Sequence, residues 1–278
     1  MDSGPGTRLI ALLGDPVAHS LSPRFQNAAI RHAGLDAVYL ALRCRAADFP
    51  ALLRGLAGAG AAGNVTIPHK SAAVALLDQA TAAVERTGAC NTFWTADGRL
   101  HGDNTDVEGF GAACRELVGA PAGARVLVLG AGGAARAAVA ALLDARADAV
   151  HVLNRSPERA GALAAALDPR GRKVTVLPPG AALRREGYDL VVNATPLGLL
   201  ADDPLPLDLA VPARVGAALD LVYRPGGTRW TAEAARLDIP GADGTEMLLH
   251  QGAAAFRRWF DTPAPMEVMR GALGRVGV

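Results

Sequence analysis

Short apolar runs alternate with stretches of helical periodicity along most of this chain. Leu9-Ile10-Ala11-Leu12-Leu13 has the length and continuity of a buried strand. Ser22-Pro23 follows, an N-cap residue with proline at the first helical position, and predicts a helix ending near Gly34. The same reading gives strands at Val38 to Leu42 and Gly63 to Ile67, the latter ended by Pro68. Helices are predicted over Asp48 to Leu56, Lys70 to Leu77 and Thr81 to Thr87. Asn91 to Trp94 and Arg99 to Gly102, separated by Ala-Asp-Gly, read as a hairpin.

A helix from Val107 to about Val118 then leads, through the Gly/Pro loop 119–123, into the run Val126-Leu127-Val128-Leu129. Further strands are expected at Val150 to Leu153, Val174 to Leu177, Leu190 to Asn193 and Ala218 to Val222. A helix opens at Ser156-Pro157-Glu158, an N-cap and first-turn signature. Ala201 to Pro212, rich in proline and aspartate, reads as an irregular loop, and the chain from Glu246 onward as two helices. Strands alternating with helices predict an α/β protein with mainly parallel sheets. No internal repeat is visible.

The run 126–129 meets Gly130-Ala131-Gly132-Gly133-Ala134-Ala135, a Gly-rich turn between a strand and an Ala-rich helix. Such a turn lets backbone N–H groups approach a pyrophosphate at the helix N-terminus. Alone the motif is weak; the strand before it, the helix after it and the βαβ length strengthen it. Asn154-Arg155-Ser156 stands where an NAD site carries an acid, and no Asp or Glu lies between Val150 and Pro157. An arginine there suits a 2′-phosphate, so the unit points to NADP(H). Ser156 is placed to cap its helix, to bind phosphate, or to do both.

Composition narrows the function little. Lys and Arg number 28 against 27 Asp and Glu, a net charge of +1, which gives no reason to expect a nucleic acid or an acidic membrane as partner. Three cysteines, Cys44, Cys90 and Cys114, form no CxxC, which fits a reduced compartment and no metal site. With no signal-peptide core or long apolar stretch, a cytoplasmic protein is expected.

The first hundred residues carry polar segments at predicted strand ends, where α/β sheets bind ligands. These are Gly14 to Pro23, Asn64 to Lys70 and Gly102-Asp103-Asn104-Thr105-Asp106. Each has a plain structural reading: Ser22 as a helix cap, Asp103 or Asp106 as the cap of the following helix, Lys70 as a solvated residue at a helix start. A cation at that start opposes the helix dipole, however, and a lysine beside an aspartate can give a proton to an alkoxide and take it back. Together the segments suit a polyhydroxylated anionic small molecule. His69 is read as a neighbour of this chemistry.

Ser20-Leu21-Ser22-Pro23, Asn64-Val65-Thr66-Ile67-Pro68-His69-Lys70, Gly88-Ala89-Cys90-Asn91-Thr92 and Gly102 to Asp106 closely resemble blocks of the shikimate dehydrogenase family. So do Gly130 to Ala135, Asn154-Arg155-Ser156, Asn193-Ala194-Thr195-Pro196-Leu197-Gly198 and Glu246 to Gly252, in the family's order over nearly the whole chain. The resemblance implies reversible NADPH-dependent reduction of 3-dehydroshikimate to shikimate, in the pathway to chorismate and the aromatic amino acids. It implies an N-terminal α/β substrate domain, 1–106 with 246–278, and a Rossmann-type NADP domain, 107–245, with C-terminal helices returning to the substrate domain. By position, Lys70 and Asp106 match the family's catalytic pair. Ser20, Ser22, Thr66, Asn91, Tyr223 and Gln251 join them as substrate contacts. Gly130, Ala131, Gly132, Gly133, Ala134, Asn154, Arg155, Ser156, Thr195 and Gly244 match cofactor positions, with Ser156 where Thr is more usual. Val107 stands where the family often has Gly. The family implies a monomer or homodimer. A quinate or aminoshikimate dehydrogenase and an NADP(H)-sensing protein on the same fold are the rival readings.

Overall fold

The computed structural model describes residues 4–224 and 226–274. The chain divides into two compact units, one formed by Met1–Glu108 with Leu248–Val278 and the other by Gly109–Met247.

The first unit contains β1 (Arg8–Gly14), α1 (Ser22–His32), β2 (Ala37–Arg43), α2 (Phe49–Gly58) and β3 (Ala62–Val65). It continues with α3 (Lys70–Val74), β4 (Gln79–Ala80), α4 (Ala82–Thr87), β5 (Thr92–Ala96) and β6 (Arg99–Asp103). The strands form one sheet in the order β2-β1-β3-β5-β6-β4. β1 pairs parallel with β2 and β3, whereas β5 runs antiparallel to both β3 and β6. The β5–β6 hairpin turns at Asp97 and Gly98, both with positive φ, as a tight turn matched to strand twist requires.

β1 is apolar from Leu9 to Leu13 because both its faces are covered there. Ile10 and Leu12 pack with Phe25, Ile30, Leu249, Phe256, Trp259 and Met269, while Ala11 and Leu13 pack with Phe49, Leu53, Ala73 and Val84. Period-two alternation along one strand thus feeds two separate apolar layers. Trp259 Nε1 donates to Thr92 Oγ1 at 2.9 Å, tying the C-terminal segment to the hairpin.

The chain passes from the first unit to the second within α5 (Asp106–Val118). The second unit then carries β7 (Arg125–Leu129), α6 (Gly133–Asp144), β8 (Ala149–Leu153), α7 (Pro157–Leu167) and β9 (Val174–Leu177). After β10 (Gly187–Tyr188) come β11 (Leu190–Asn193), β12 (Arg214–Val215), β13 (Ala218–Asp220), α8 (Arg229–Arg236) and β14 (Gly241–Ala242). Its main sheet has the order β14-β13-β11-β7-β8-β9 and pairs in parallel throughout. That is the doubly wound arrangement, in which β7 and β11 flank the point where the winding reverses. The chain returns through α9 (Thr245–Phe260) and ends in α10 (Met266–Gly274). No helix among the described residues is long and apolar enough to cross a membrane.

Several local expectations differ from the structure: the helix expected to reach Leu77 ends at Val74, and the strand expected to reach Val222 ends at Asp220. Ser22 is the first residue of α1, and Leu21 precedes it without a side-chain cap bond. The orphan N–H of Ser22 instead donates to Ser20 Oγ at 3.2 Å, so the upstream serine does the capping work. β3 stops at Val65 rather than Ile67, and Ile67 is 67% exposed beyond it.

Candidate active site

In the first unit, topology gathers the polar segments at one sheet edge. β1, β3 and β6 run the same way, so Gly14, Val65 and Asp103 end at a common edge. β5 runs against them and begins there, directly after Asn91. Ser20 and Ser22 follow β1, Thr66 and Lys70 follow β3, and Asp106 follows β6. A Cβ on Gly14 would stand 2.3 Å from Thr66 Cγ2, so glycine there lets the Thr66 side chain lie against the end of β1.

Lys70 opens α3, and Asp106 opens α5. Lys70 Nζ donates to Asp106 Oδ2 at 2.5 Å, with the side chains 20% and 7% exposed. Backbone bonds fix the frame around them: Cys90 N–H donates to Lys70 C=O at 2.9 Å, and Asn91 N–H to Asp103 C=O at 3.0 Å. Asn91 Nδ2 donates to Asp106 Oδ1 at 2.8 Å and to Gln251 Oε1 on α9 at 3.3 Å. Its Oδ1 accepts the Thr105 backbone N–H at 2.8 Å. A backbone amide only donates and a carboxylate only accepts, so both ends dictate the same orientation of the Asn91 amide. Both oxygens of Asp106 are thereby engaged, one by a cation and one by an amide.

A lysine and a carboxylate in contact, only partly open to water, are an arrangement suited to moving a proton, and Asn91 fixes the carboxylate from its other oxygen. Of the sequence-derived residues in this unit, Lys70, Asn91, Asp106 and Gln251 form one hydrogen-bonded group, while Ser20, Ser22 and Thr66 lie on the adjoining strand ends. Sequence reasoning did not single out Thr105, which orients Asn91, although it lies within the Gly102–Asp106 block. Nor did it single out Gln26, a fully buried α1 residue whose Nε2 donates to the Gly252 carbonyl at 2.9 Å beside Gln251. Asp103 does not cap α5: it accepts from Thr81 Oγ1 at 2.6 Å, Asn104 N–H at 2.7 Å and Arg258 Nε at 2.9 Å. His69 stacks on Phe49 with 4.4 Å between centroids and its Nε2 lies 2.7 Å from the Cys44 carbonyl oxygen, so packing accounts for it. Burial pushes the Cys90 thiol up to about 12, which keeps it protonated and unreactive.

The second unit places the Gly-rich turn at the β7 end, next to β11. Gly130 has φ +111°, and a Cβ there would lie 2.8 Å from the Ala194 carbonyl oxygen. Only glycine allows the two strand ends to approach this closely. Gly132 precedes α6, and a Cβ there would meet nothing, so the helix start is open to a ligand; Gly133 and Ala134 form the first turn and Ala131 is buried. Open backbone at a helix N-terminus, on the sheet's reversal point, fits a pyrophosphate. Asn154, Arg155 and Ser156 follow β8, the neighbouring strand. Asn154 Nδ2 donates to the Ser156 carbonyl at 2.8 Å, Arg155 is exposed, and Ser156 caps α7 by accepting the Arg159 N–H at 3.3 Å. Arg159, one turn on from Arg155 and also exposed, is a second cation that the sequence reading passed over.

Thr195 is held by Asn193, whose Oδ1 accepts the Thr195 N–H at 3.0 Å and hydroxyl at 2.7 Å. Asn193 is held in turn by Asp220, fully buried, which accepts from Asn193 Nδ2 at 2.7 Å, Thr228 Oγ1 at 2.7 Å and Val222 N–H at 3.0 Å. Burial raises the Asp220 carboxyl above its ordinary range. Gly244 is set by packing, since a Cβ would stand 2.4 Å from the Leu221 carbonyl oxygen. Tyr223, half-buried, follows β13.

Comparison with known proteins identifies the family. Profiles of three families match the chain: the shikimate dehydrogenase substrate binding domain over residues 12–93, shikimate / quinate 5-dehydrogenase over 113–196, and the shikimate 5′-dehydrogenase C-terminal domain over 244–273. The NADP(+) shikimate dehydrogenase of Moorella thermoacetica is 43% identical over 271 residues, covering 95% of this chain and 91% of that protein. Among solved structures, shikimate dehydrogenase of Aquifex aeolicus is 33% identical with TM-score 0.88, covering 97% of this chain and 98% of that one. The Thermus thermophilus shikimate 5-dehydrogenase, solved with NADP(H) and shikimate, is 38% identical with TM-score 0.84, covering 96% and 99%. The chain belongs to the shikimate dehydrogenase family.

Proposed function

We propose that this protein catalyses the reversible NADPH-dependent reduction of 3-dehydroshikimate to shikimate, in the cytoplasm, as a monomer or homodimer. The observation that carries the reading is the Lys70–Asp106 contact at 2.5 Å, braced by Asn91 and Gln251 at a strand-end edge. The substrate domain is assigned to 1–106 with 246–278 and the NADP domain to 107–245.

When bound, the nicotinamide supplies the hydride that reaches the carbonyl carbon. The remaining work belongs to the chain. Backbone N–H groups of Gly130 to Ala134 hold the pyrophosphate, Arg155 pairs with the 2′-phosphate with Asn154 and Ser156 shaping that loop, and Thr195 and Gly244 border the cofactor. Ser20, Ser22, Thr66, Tyr223 and Gln251 orient the substrate carboxylate and hydroxyls. Lys70 gives its proton to the carbonyl oxygen as negative charge develops there, and in the reverse direction takes it back. Asp106 keeps Lys70 in place and accepts from a substrate hydroxyl, with Asn91 fixing the carboxylate. General acid catalysis of this kind contributes about 10²–10⁴-fold.

A quinate reading has support from the profile shared by shikimate and quinate enzymes. Arg155 and the serines at 20 and 22 favour the shikimate reading. Adding 3-dehydroshikimate or 3-dehydroquinate to protein and NADPH distinguishes the two. Loss of the reduced-nicotinamide absorbance with 3-dehydroshikimate, with shikimate identified as product by mass spectrometry, is expected. Loss with 3-dehydroquinate alone overturns the proposal.

A further inference from the structure

Glu158 stands in the first turn of α7, two residues beyond Ser156, among the donors that the cofactor reading gives to the ribose phosphate. Ser156 Oγ donates to Glu158 Oε2 at 2.8 Å while accepting the Arg159 N–H. The Ser156 hydroxyl, and after it the adjacent Glu158 backbone N–H, hold the carboxyl below the usual carboxylate range. A carboxylate group therefore rests at the start of an eleven-residue helix on the hydroxyl that caps that helix. A capping hydroxyl is a donor that a phosphate takes at a helix start, where the dipole favours negative charge.

The arrangement is exclusive in two respects. A serine hydroxyl has a single proton, so it serves Glu158 or a phosphate oxygen but not both. The carboxylate and a phosphate would also bring like charges to one helix turn, a repulsion only partly screened at physiological salt. A dinucleotide without the 2′-phosphate makes neither demand.

We propose that Glu158 is an internal competitor for the 2′-phosphate of NADP(H). It occupies the Ser156 hydroxyl and the α7 start in the free protein and leaves them when the phosphate binds. Its presence lowers the discrimination between NADP(H) and NAD(H) that Arg155 and the helix start would otherwise give. The proposal rests on the reading of Asn154-Arg155-Ser156 as the 2′-phosphate loop.

Calorimetric titration of the whole protein with NADP⁺ and with NAD⁺, for wild type, Glu158→Gln and Glu158→Ala, tests it. Both variants are expected to bind NADP⁺ about three- to tenfold more tightly, with the gain shrinking as salt is raised. NAD⁺ affinity is expected to stay within about twofold, because nothing competes with Glu158 in that complex. A wild type that prefers NADP⁺, with variants that bind it equally or more weakly, overturns the proposal alone. A wild type that binds NAD⁺ as tightly as NADP⁺ overturns the loop reading and the proposal with it.

Discussion

Lys70→Met removes the ammonium group but keeps an unbranched apolar stem, so it separates the proton-transfer role of Lys70 from its packing. The side chain of Asp106, 7% exposed, then loses its Lys70 partner but keeps Asn91 Nδ2 at 2.8 Å and a place in the first turn of α5. Losing one hydrogen bond to a charged, mostly buried acceptor costs about 1–3 kcal/mol of stability. The loss of general acid catalysis is larger, about 10²–10⁴-fold in kcat, or about 2.7–5.5 kcal/mol of barrier. Because the proton moves only in the transition state, kcat and kcat/KM should fall together. Urea unfolding gives the first quantity, and initial rates of shikimate oxidation on the folded fraction give the second. A variant that is folded and retains kcat within about fivefold of wild type would remove Lys70 from the reaction.

Other positions make separate demands. Gly130→Ala forces a Cβ to within 2.8 Å of the Ala194 carbonyl at φ +111° and should destabilise the protein by about 1–3 kcal/mol in urea unfolding; an unchanged midpoint would contradict the close approach of β7 and β11. Trp259→Phe leaves the buried Thr92 hydroxyl without its indole donor and should cost about 1–2 kcal/mol by the same measurement. His151, whose Nδ1 lies 2.9 Å from the Tyr188 hydroxyl, is held below the usual imidazole range by burial and then by Arg125, with Glu186 opposing. A depressed folded-state value means that its stabilising contribution is complete above about pH 6.5 and is lost as pH falls below that, toward and through the lower folded-state value. His151→Gln should therefore lose less stability than wild type between about pH 7.5 and about pH 5.5, and equal losses would refute this account of His151.

The parts most legible in the sequence were those with strong local signals. Leu9 to Leu13 in β1 and Val126 to Leu129 in β7 are continuous apolar runs because both faces of each are buried, and Gly130 after β7 marks a backbone position that only glycine suits. The paired strands β10 and β12 were invisible, since two residues carry no periodicity. Ser22 read as a cap from local chemistry, but Ser20 two residues upstream takes that N–H. Lys70 beside an aspartate stood out by residue type, whereas the choice of Asp106 over Asp103 came from the family resemblance. The amide orientation of Asn91, set by Thr105 fourteen residues away, and the Trp259–Thr92 bond across 167 residues depend on tertiary approach that no local pattern records.

Steady-state reduction of NADP⁺ and of NAD⁺ by shikimate, followed at the reduced-nicotinamide band, tests the central claim most directly. The account predicts shikimate-dependent turnover with a kcat/KM for NADP⁺ at least about tenfold above that for NAD⁺, the worth of one charge-assisted phosphate contact. Folded protein that binds NADP⁺ yet shows no shikimate-dependent absorbance change, or that turns over shikimate faster with NAD⁺, would contradict it.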